Sequence, residues 1–489
     1  MSRRFFIISS ALLFLSACVS VPDVQRTGST SLPTSVVNML KDASIPTDAM
    51  GAIVIRMSDG ATILSHRSDV SLQPASTLKL LTSIVGLERL GPTYRGRTEL
   101  RANVKGEVID GELRSDLVLR GMGDPDLDWP AFQRMLQTLR LKGISDIKGD
   151  FVLDRQWFQP SRPDAGVPPF DETPEFRYNV IPDALLLNTN LLQLEFESND
   201  ANLKVGMSPV MEQVSVVSDM TLVDRACDKW EDGWVLPTMT RGGDGTIRIE
   251  LHGEFPENCS ASTEINVLDR VEFADRLFRT LWRNLGGTFS GQTRDSAATD
   301  PATSDTQLLA KHQSRTLVEF TRDINKRSDN PIARLLYLTL GALSVPDGEV
   351  TTTLRAERQV RAWLKHQGIA DDGLVLENGS GLSRIERIRP VQLAAVLKAA
   401  YRSDWAPEFM ASLPVVGVDG RIRLRNSSAA GYARIKTGSL RDVAAVAGFV
   451  PCTENENCIV VAMINSPLVK AGVGRAILDA LIDSVRSVP

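Results

Sequence analysis

The sequence predicts an α/β (α+β) protein in which one mixed domain is interrupted by a large β-rich insert. The chain has 489 residues, enough for about three domains at ~150 residues each. Residues 35–95 and 301–489 carry long helical patterns and a few apolar strands. Residues 96–300 instead carry short alternating strands separated by Gly, Asp and Pro, which favours a β-rich unit.

The first residues predict export. Residues 1–17 combine a short basic start with an apolar stretch that is too short to span a membrane, as in a secretory signal. The stretch Leu15-Ser16-Ala17-Cys18 resembles the lipobox of bacterial lipoproteins, in which the Cys becomes the lipidated first residue. The alternative is ordinary cleavage with Cys18 left over. Residues 18–34, rich in Ser, Thr, Pro and Val, are predicted to be a tether.

The cysteines are consistent with export. Of the 5 Cys, Cys18 is explained by lipidation, which leaves an even number for an oxidising compartment. We predict a local disulfide Cys452–Cys458, because these residues flank a polar turn between two apolar runs. The remaining disulfide is then Cys227–Cys259.

The outer segments predict the mixed domain. A hairpin over 52–66 precedes a buried helix that begins near Pro74, and several helices follow residue 317. Apolar strands and a final amphipathic helix end the chain. We expect residues 35–95 and 301–489 to form one domain, with the insert divided into residues 96–185 with 265–300, and residues 186–264.

Composition excludes several function classes. The net charge is −5 and no basic run is present, which disfavours nucleic acid as a partner. The 4 His are scattered without a metal-binding spacing, so we expect no metal and no cofactor.

Ser76 and Lys79 are a candidate nucleophile and base. They lie three residues apart at a predicted helix start and so share one helix face. A buried lysine has a lowered pKa and can accept a proton, while the helix N-terminus favours an oxyanion. The spacing alone is a weak signal, because Ser145 and Lys148 have it too.

Two further motifs carry suitable groups. Ser328-Asp329-Asn330 offers a hydroxyl that can relay a proton and an amide that can hold a substrate carbonyl, but it also fits a plain helix N-cap before Pro331. Lys436-Thr437-Gly438-Ser439 offers a cation, a close backbone approach and a backbone N–H, but it also fits an ordinary hairpin turn.

In this order, S-x-x-K, S-D-N and K-T-G are the signature of class A β-lactamases and penicillin-binding proteins. The chain resembles the bacterial D-alanyl-D-alanine carboxypeptidase/endopeptidase family of the penicillin-binding protein 4 type. Further stretches that carry the resemblance are 121–125, 178–184, 379–384 and 413–420. The roughly 250 residues between Lys79 and Ser328 match the large insert for which this family is known.

The resemblance implies a transpeptidase-like catalytic domain, an antiparallel sheet with helices on both sides, and a two-step acyl transfer. Ser76 would attack the carbonyl between the last two D-alanines with Lys79 as base, and Ser328 would relay a proton to the leaving amine. The other implied roles are an amide contact from Asn330, carboxylate binding by Lys436 and Thr437, and an oxyanion hole from the N–H groups of Ser76 and Ser439.

The resemblance also implies how the substrate is held. Asp171, Phe176 and Arg384 would recognise the diaminopimelate end of the stem peptide. The implied partners are peptidoglycan stem peptides and cross-links, and β-lactam antibiotics. The lipobox departs from many members of the family, and it predicts attachment to a membrane leaflet through Cys18. Val19 stands where an Asp would retain a lipoprotein at the inner membrane, so in a Gram-negative source we expect a periplasmic protein anchored to the outer membrane.

Two other functions remain open from the sequence. A serine β-lactamase would share the motifs, but no E-x-x-L-N stretch lies between Ser328 and Lys436 to supply a class A deacylation glutamate. An inert peptidoglycan-binding or scaffolding module would not need all three motifs. The balance of carboxypeptidase and endopeptidase activity, and whether the protein forms a homodimer or binds a synthase, are not determined by the sequence.

Overall fold

The computed structural model describes residues 29–486 except 104–107, 109, 171–172, 345–349, 423–426 and 454–455. The predicted signal, Cys18, most of the tether and Asp171 lie outside the described residues. Within them, no helix is long and apolar enough to cross a membrane. No group of His, Cys, Asp or Glu side chains in the same part of the chain is arranged to hold a metal ion.

Helices and strands alternate unevenly along the chain. The helices are α1 (Thr34–Asp42), α2 (Lys79–Leu90), α3 (Trp129–Leu141), α4 (Arg270–Asn284), α5 (Leu317–Arg322), α6 (Asn330–Ala342), α7 (Thr352–His366), α8 (Pro390–Arg402), α9 (Ala406–Ser412) and α10 (Ala471–Arg486). The strands are β1 (Met50–Arg56), β2 (Thr62–His66), β3 (Arg97–Ala102), β4 (Glu112–Leu113), β5 (Leu117–Met122), β6 (Asp146–Ile147), β7 (Phe151–Asp154), β8 (Leu192–Ser198), β9 (Leu203–Ser208), β10 (Val214–Ser218), β11 (Thr221–Val223), β12 (Trp234–Arg241), β13 (Ile247–Pro256), β14 (Ser260–Ile265), β15 (Thr288–Phe289), β16 (Thr293–Asp295), β17 (Gln307–Gln313), β18 (Arg434–Leu440), β19 (Val443–Thr453) and β20 (Glu456–Asn465).

The two outer segments form one antiparallel sheet in the order β18-β19-β20-β1-β2. Strand β20 pairs with β1 in a register that sets Met50 opposite Ile464. This pairing joins the N-terminal outer segment to the C-terminal one. Successive strand residues face opposite sides, so Ile53 packs towards α2 and α8 while Val54 packs towards α1 and α10. A sheet covered on both faces needs continuously apolar strands, which explains why β19 and β20 are almost wholly buried.

The insert contains two β-rich parts. The first is a sheet in the order β16-β7-β5-β3-β17, with α3 and α4 packed near stacked Phe151 and Phe278 rings whose centroids are 4.1 Å apart. The second contains the sheet β14-β8-β9 and strands β10 to β13. The predicted disulfide Cys227–Cys259 forms in this second part, and Cys452–Cys458 links β19 to β20.

One predicted boundary differs from the structure. The sequence predicts the return to the outer domain at residue 301, after a polar segment typical of a linker. Strand β17 instead pairs antiparallel with β3, setting Gln313 opposite Arg97, so the insert's sheet continues to Gln313. The polar segment is therefore a surface connection between two strands of one sheet.

Candidate active site

Ser76 lies in a single turn of 3₁₀ helix, Ala75–Leu78, directly before α2. The preceding Ala75 has a positive φ of 45°, a conformation rare for a residue with a side chain. This turn leaves Ser76 half-buried at the surface of a cleft while Lys79, one helical turn later, is fully buried. The Lys79 Nζ lies 2.9 Å from the Ser76 Oγ.

The surroundings of Lys79 lower the pKa of its amine. Its Nζ donates to the Asn330 Oδ1 at 2.5 Å and to the Ser380 carbonyl at 2.5 Å. Burial lowers the pKa of Lys79 well below its ordinary value, and the nearby charge of Lys436 lowers it further. A neutral amine beside a hydroxyl can accept the hydroxyl proton, so the geometry of the pair suits the roles of nucleophile and base.

Ser328 and Lys436 form a second hydroxyl–amine pair. Ser328 has a left-handed φ of 61° at the end of a π-helical turn, and its Oγ accepts a hydrogen bond of 2.9 Å from the Lys436 Nζ. Lys436 is buried, and burial together with the charge of Arg421 lowers its pKa to about 7. A proton can pass between the two groups, since they are in hydrogen-bond contact.

The edge strand β18 runs close beside the nucleophile. A Cβ on Gly438 would lie 2.9 Å from the Ser76 backbone nitrogen and 2.8 Å from the Pro74 carbonyl oxygen, so only glycine permits this approach. Thr437 and Ser439 therefore lie beside Ser76 along the cleft wall.

The loop 377–386 completes the wall around Lys79. The buried Glu386 carboxylate accepts hydrogen bonds from the backbone N–H groups of residues 377, 378, 379 and 381 at distances between 2.9 and 3.1 Å. Burial raises the pKa of Glu386. This carboxylate shapes the turn that presents the Ser380 carbonyl to Lys79, a role that no sequence motif indicated.

The insert contributes to the site through Arg177 and Tyr178. The Arg177 guanidinium donates to the Asp329 carboxylate at 3.1 and 3.0 Å, and the Tyr178 carbonyl accepts from the Asn330 Nδ2 at 3.0 Å. Asp329 also caps α6 through the Ile332 N–H. The insert therefore holds the Ser328-Asp329-Asn330 segment from outside, which sequence reasoning missed.

A cleft of about 500 Å³ brings most predicted site residues together. The predicted site residues that line this cleft are Ser76, Ser328, Asn330, Arg384, Thr437, Gly438 and Ser439. Lys79 and Lys436 lie buried behind its surface. The sequence did not single out Phe170, Arg421 and Arg475, which also line it.

Of the residues predicted to recognise the stem peptide, Arg384 lines the cleft and Phe176 does not. Arg384 lines the cleft with its guanidinium 4.5 Å above the centre of the Phe170 ring. The Phe176 ring instead packs against Trp234 inside the insert, with centroids 5.7 Å apart, and among the described residues it is Phe170 that brings a phenyl ring to the cleft.

Comparison with known proteins identifies the family. Residues 32–487 match the D-Ala-D-Ala carboxypeptidase 3 (S13) family. The D-alanyl-D-alanine carboxypeptidase of Actinomadura sp. (strain R39) is 27% identical over 465 residues, which cover 91% of this chain and 83% of that protein. The D-alanyl-D-alanine carboxypeptidase DacB of Haemophilus influenzae is 26% identical over 426 residues, which cover 85% of each chain.

The fold agrees with this assignment. The crystal structure of penicillin binding protein 4 (dacB) from Haemophilus influenzae superposes with a TM-score of 0.74 at 23% identity, covering 93% of this chain and 98% of that one. The resemblance drawn from the three motifs is thereby confirmed, as is the predicted fold class. The chain belongs to the D-Ala-D-Ala carboxypeptidase 3 (S13) family and is a serine-type carboxypeptidase.

Proposed function

We propose that the chain cleaves peptidoglycan stem peptides in the periplasm, both as a D-Ala-D-Ala carboxypeptidase and as a D-Ala–diaminopimelate endopeptidase, through an acyl-enzyme on Ser76. The observation that carries this proposal is the buried Lys79 amine in hydrogen-bond contact with Ser76, inside a cleft whose other walls carry Ser328, Asn330 and Thr437. β-Lactams would acylate the same serine. A Haemophilus influenzae penicillin binding protein 4 structure complexed with a β-lactam supports this part.

Acylation begins when Lys79 takes the Ser76 proton and the Oγ attacks the D-Ala carbonyl. The developing oxyanion is stabilised by the N–H groups of Ser76 and Ser439. The C–N bond then breaks, and the leaving amine receives a proton through Ser328, which the contact with Lys436 resupplies. In the second step water attacks the ester and gives its proton through Ser328 back to Lys436, while Lys79 returns its proton to the Ser76 Oγ as the shortened peptide is released.

The far end of the cleft suits a terminal carboxylate. Lys436, Arg421 and Arg475 place positive charge along or behind the wall next to Thr437. A carboxylate adjoins the departing amine in both a terminal D-Ala and a diaminopimelate cross-link. The same contacts therefore serve both proposed activities.

Digestion of defined muropeptides tests the proposal. We expect the purified chain to release D-Ala from pentapeptide monomers and to convert D-Ala–diaminopimelate dimers to monomers. Loss of D-Ala with intact dimers would remove the endopeptidase part, and cleavage of neither substrate would overturn the proposal. Rapid turnover of penicillin, instead of stable attachment, would favour the β-lactamase alternative.

The lowered pKa of Lys436 predicts an alkaline limit to activity. Lys436 binds the substrate carboxylate only when charged, so kcat/KM should fall as the pH rises above about 7. Lys79 must be neutral, so activity should fall in acid as it becomes protonated. A pH profile of kcat/KM checks both limbs. Lys436→Arg, which stays charged to high pH, should shift the alkaline limb upward at a lower maximum; an unmoved limb would contradict the assignment.

Arg177 is predicted to act as a positioning residue for Ser328 and Asn330. Arg177→Ala leaves the nearly buried Asp329 carboxylate without its ion-pair partner, so the segment should shift and the acylation rate should fall about tenfold. Arg225→Ala, which breaks another arginine–carboxylate pair of the insert, is the matched control. Equal acylation rates in the two variants at equal Tm would contradict this role, whereas Arg177→Lys should restore part of the rate.

The proposed location is the periplasmic face of the outer membrane, with a lipid on Cys18. The lipobox-like segment and the two disulfides, which require an oxidising compartment, support it. In a Gram-negative host, labelled palmitate should enter the wild-type protein but not Cys18→Ser, which should become soluble. Val19→Asp should move the protein to the inner membrane. Membrane release of the wild type without label would contradict the anchor.

A further inference from the structure

A second cavity, of about 740 Å³, lies beside the catalytic cleft. One side is formed by insert residues from 162–170, 179–182 and 266–270, and the other by α6 and the loop around 377–385. The cavity and the cleft share Phe170, Leu382 and Arg384, so the stacked Phe170–Arg384 pair stands between them. Its volume is in the range of ordinary ligand pockets.

Arg334 is an unusual residue in this cavity. It lies one turn after Asn330 on α6 and is only 7% exposed. Its one described hydrogen bond runs from Nη2 to the Leu382 carbonyl at a long 3.3 Å, and its buried Nε has no partner among the described residues. Burial lowers its pKa to about 10, so the guanidinium is still charged at neutral pH.

Two neighbouring buried arginines have a carboxylate partner, which Arg334 lacks among the described residues. Arg155 and Arg270 are equally buried, and each lies 2.8 Å from the Asp183 carboxylate. No carboxylate in the described part of the chain lies within ion-pair distance of Arg334. Glu386 and Glu377 are near enough to raise the pKa of Arg334, but neither forms an ion pair with it among the described residues. Buried charges in proteins are normally paired directly, so the remaining donors of Arg334 fit an anion that arrives with a ligand. A planar guanidinium is best matched by a carboxylate.

The position of the cavity indicates which part of a substrate would reach it. The terminal carboxylate of the substrate is placed at Lys436 and Thr437, and the cavity shares no residue with β18. It adjoins the cleft at Phe170 and Arg384 instead. The acyl-donor peptide lies on the opposite side of the scissile bond from that carboxylate, so it can enter the cavity. Apolar residues such as Val167, Pro168 and Leu338 suit the aliphatic parts of such a peptide.

We propose that this cavity is a subsite for the acyl-donor strand upstream of the scissile D-alanine, in which Arg334 binds a second carboxylate of that acidic peptide. This carboxylate is separate from the one assigned to Arg384. The inference rests on the proposed function, because it takes a stem peptide as the substrate. It assigns Arg334 a part in substrate selection and none in the chemical step.

Two peptides that differ at one group test the proposal. Both are stem pentapeptides ending in D-Ala-D-Ala; the second residue carries a free α-carboxylate in one and a carboxamide in the other. Wild type should cleave the carboxylate form with a kcat/KM about tenfold higher. Equal values for the two peptides in the wild type would overturn the proposal without any variant.

Two variants test whether Arg334 causes the preference for the carboxylate peptide. Arg334→Gln should cleave both peptides equally while retaining wild-type acylation by benzylpenicillin, whose acyl side carries no carboxylate for Arg334 to bind. Arg162→Gln is the matched control, because Arg162 lines the same cavity but is paired with Asp164, and it should keep the preference. A preference that survives in Arg334→Gln would overturn the assignment. Failure of the wild type to be acylated by penicillin or to cleave either peptide would instead refute the proposed function.

Discussion

Ser76→Ala is expected to abolish covalent labelling by penicillin and to reduce peptide cleavage on the order of 10⁶-fold. The Ser76 Oγ is the hydroxyl that contacts the Lys79 amine, and removing it leaves the cleft without a nucleophile. Alanine fits the half-buried position, so the fold should be unchanged. Fluorescent penicillin resolved on a denaturing gel, with Tm as the check on folding, measures the effect.

The chain contains its own control for this experiment. Ser145 and Lys148 have the same spacing, but Lys148 is solvent-exposed and paired with Asp146, which raises its pKa. The Ser145 hydroxyl donates to the Gly111 carbonyl in the insert. Ser145→Ala should therefore label and cleave like the wild type. Labelling that persists in Ser76→Ala would show that the acylated residue lies elsewhere.

Lys79→Met is expected to slow acylation by a factor of about 10² to 10⁴, the usual contribution of a positioned general base. Methionine retains the length of the side chain and removes the amine. The hydrogen bonds to Asn330 and Ser380 are lost with it, so Tm must be compared with that of the wild type. Stopped-flow acylation by penicillin measures the rate.

A second substitution separates the base from a mere positive charge. Lys79→Arg places a permanent cation next to Ser76, because a guanidinium remains protonated at any working pH. It should therefore fail to restore the rate. Restoration by arginine would mean that the charge of Lys79 acts electrostatically and that another group removes the Ser76 proton.

The parts of the site that could be predicted are short sequence motifs whose reactive groups are close together in the chain. Ser76 and Lys79 adjoin on one helix face, and Lys436 to Ser439 form one strand, so spacing alone placed each group. Arg177 could not be found in this way, because its partner Asp329 is 152 residues away and the contact exists only when the insert docks. The role of Glu386 was not predicted for another reason. A single buried carboxylate that accepts hydrogen bonds from backbone N–H groups produces no sequence pattern.

The same distinction holds for the fold. The hairpin β1–β2 and the strands β19 and β20 were predictable, because continuous apolar runs between turns favour buried strands. The assignment of β17 to the insert was not, since its half-exposed residues resemble a surface segment and only pairing with β3 decides its place. Phe176 shows a similar limit, because a ring that packs on Trp234 and a ring that lines a cleft look alike in sequence.

The joining of β1 to β20 has a consequence for when activity appears during synthesis. Lys79 finds its partners Asn330 and Ser380 only 251 and 301 residues later, and β18 to β20 come later still. Contacts between such distant residues form late in folding, whereas the insert is complete by Gln313. A chain stopped before β18 would carry Ser76 and Lys79 beside an unfinished sheet, so hydrolysis should begin only after nearly the whole polypeptide has been made.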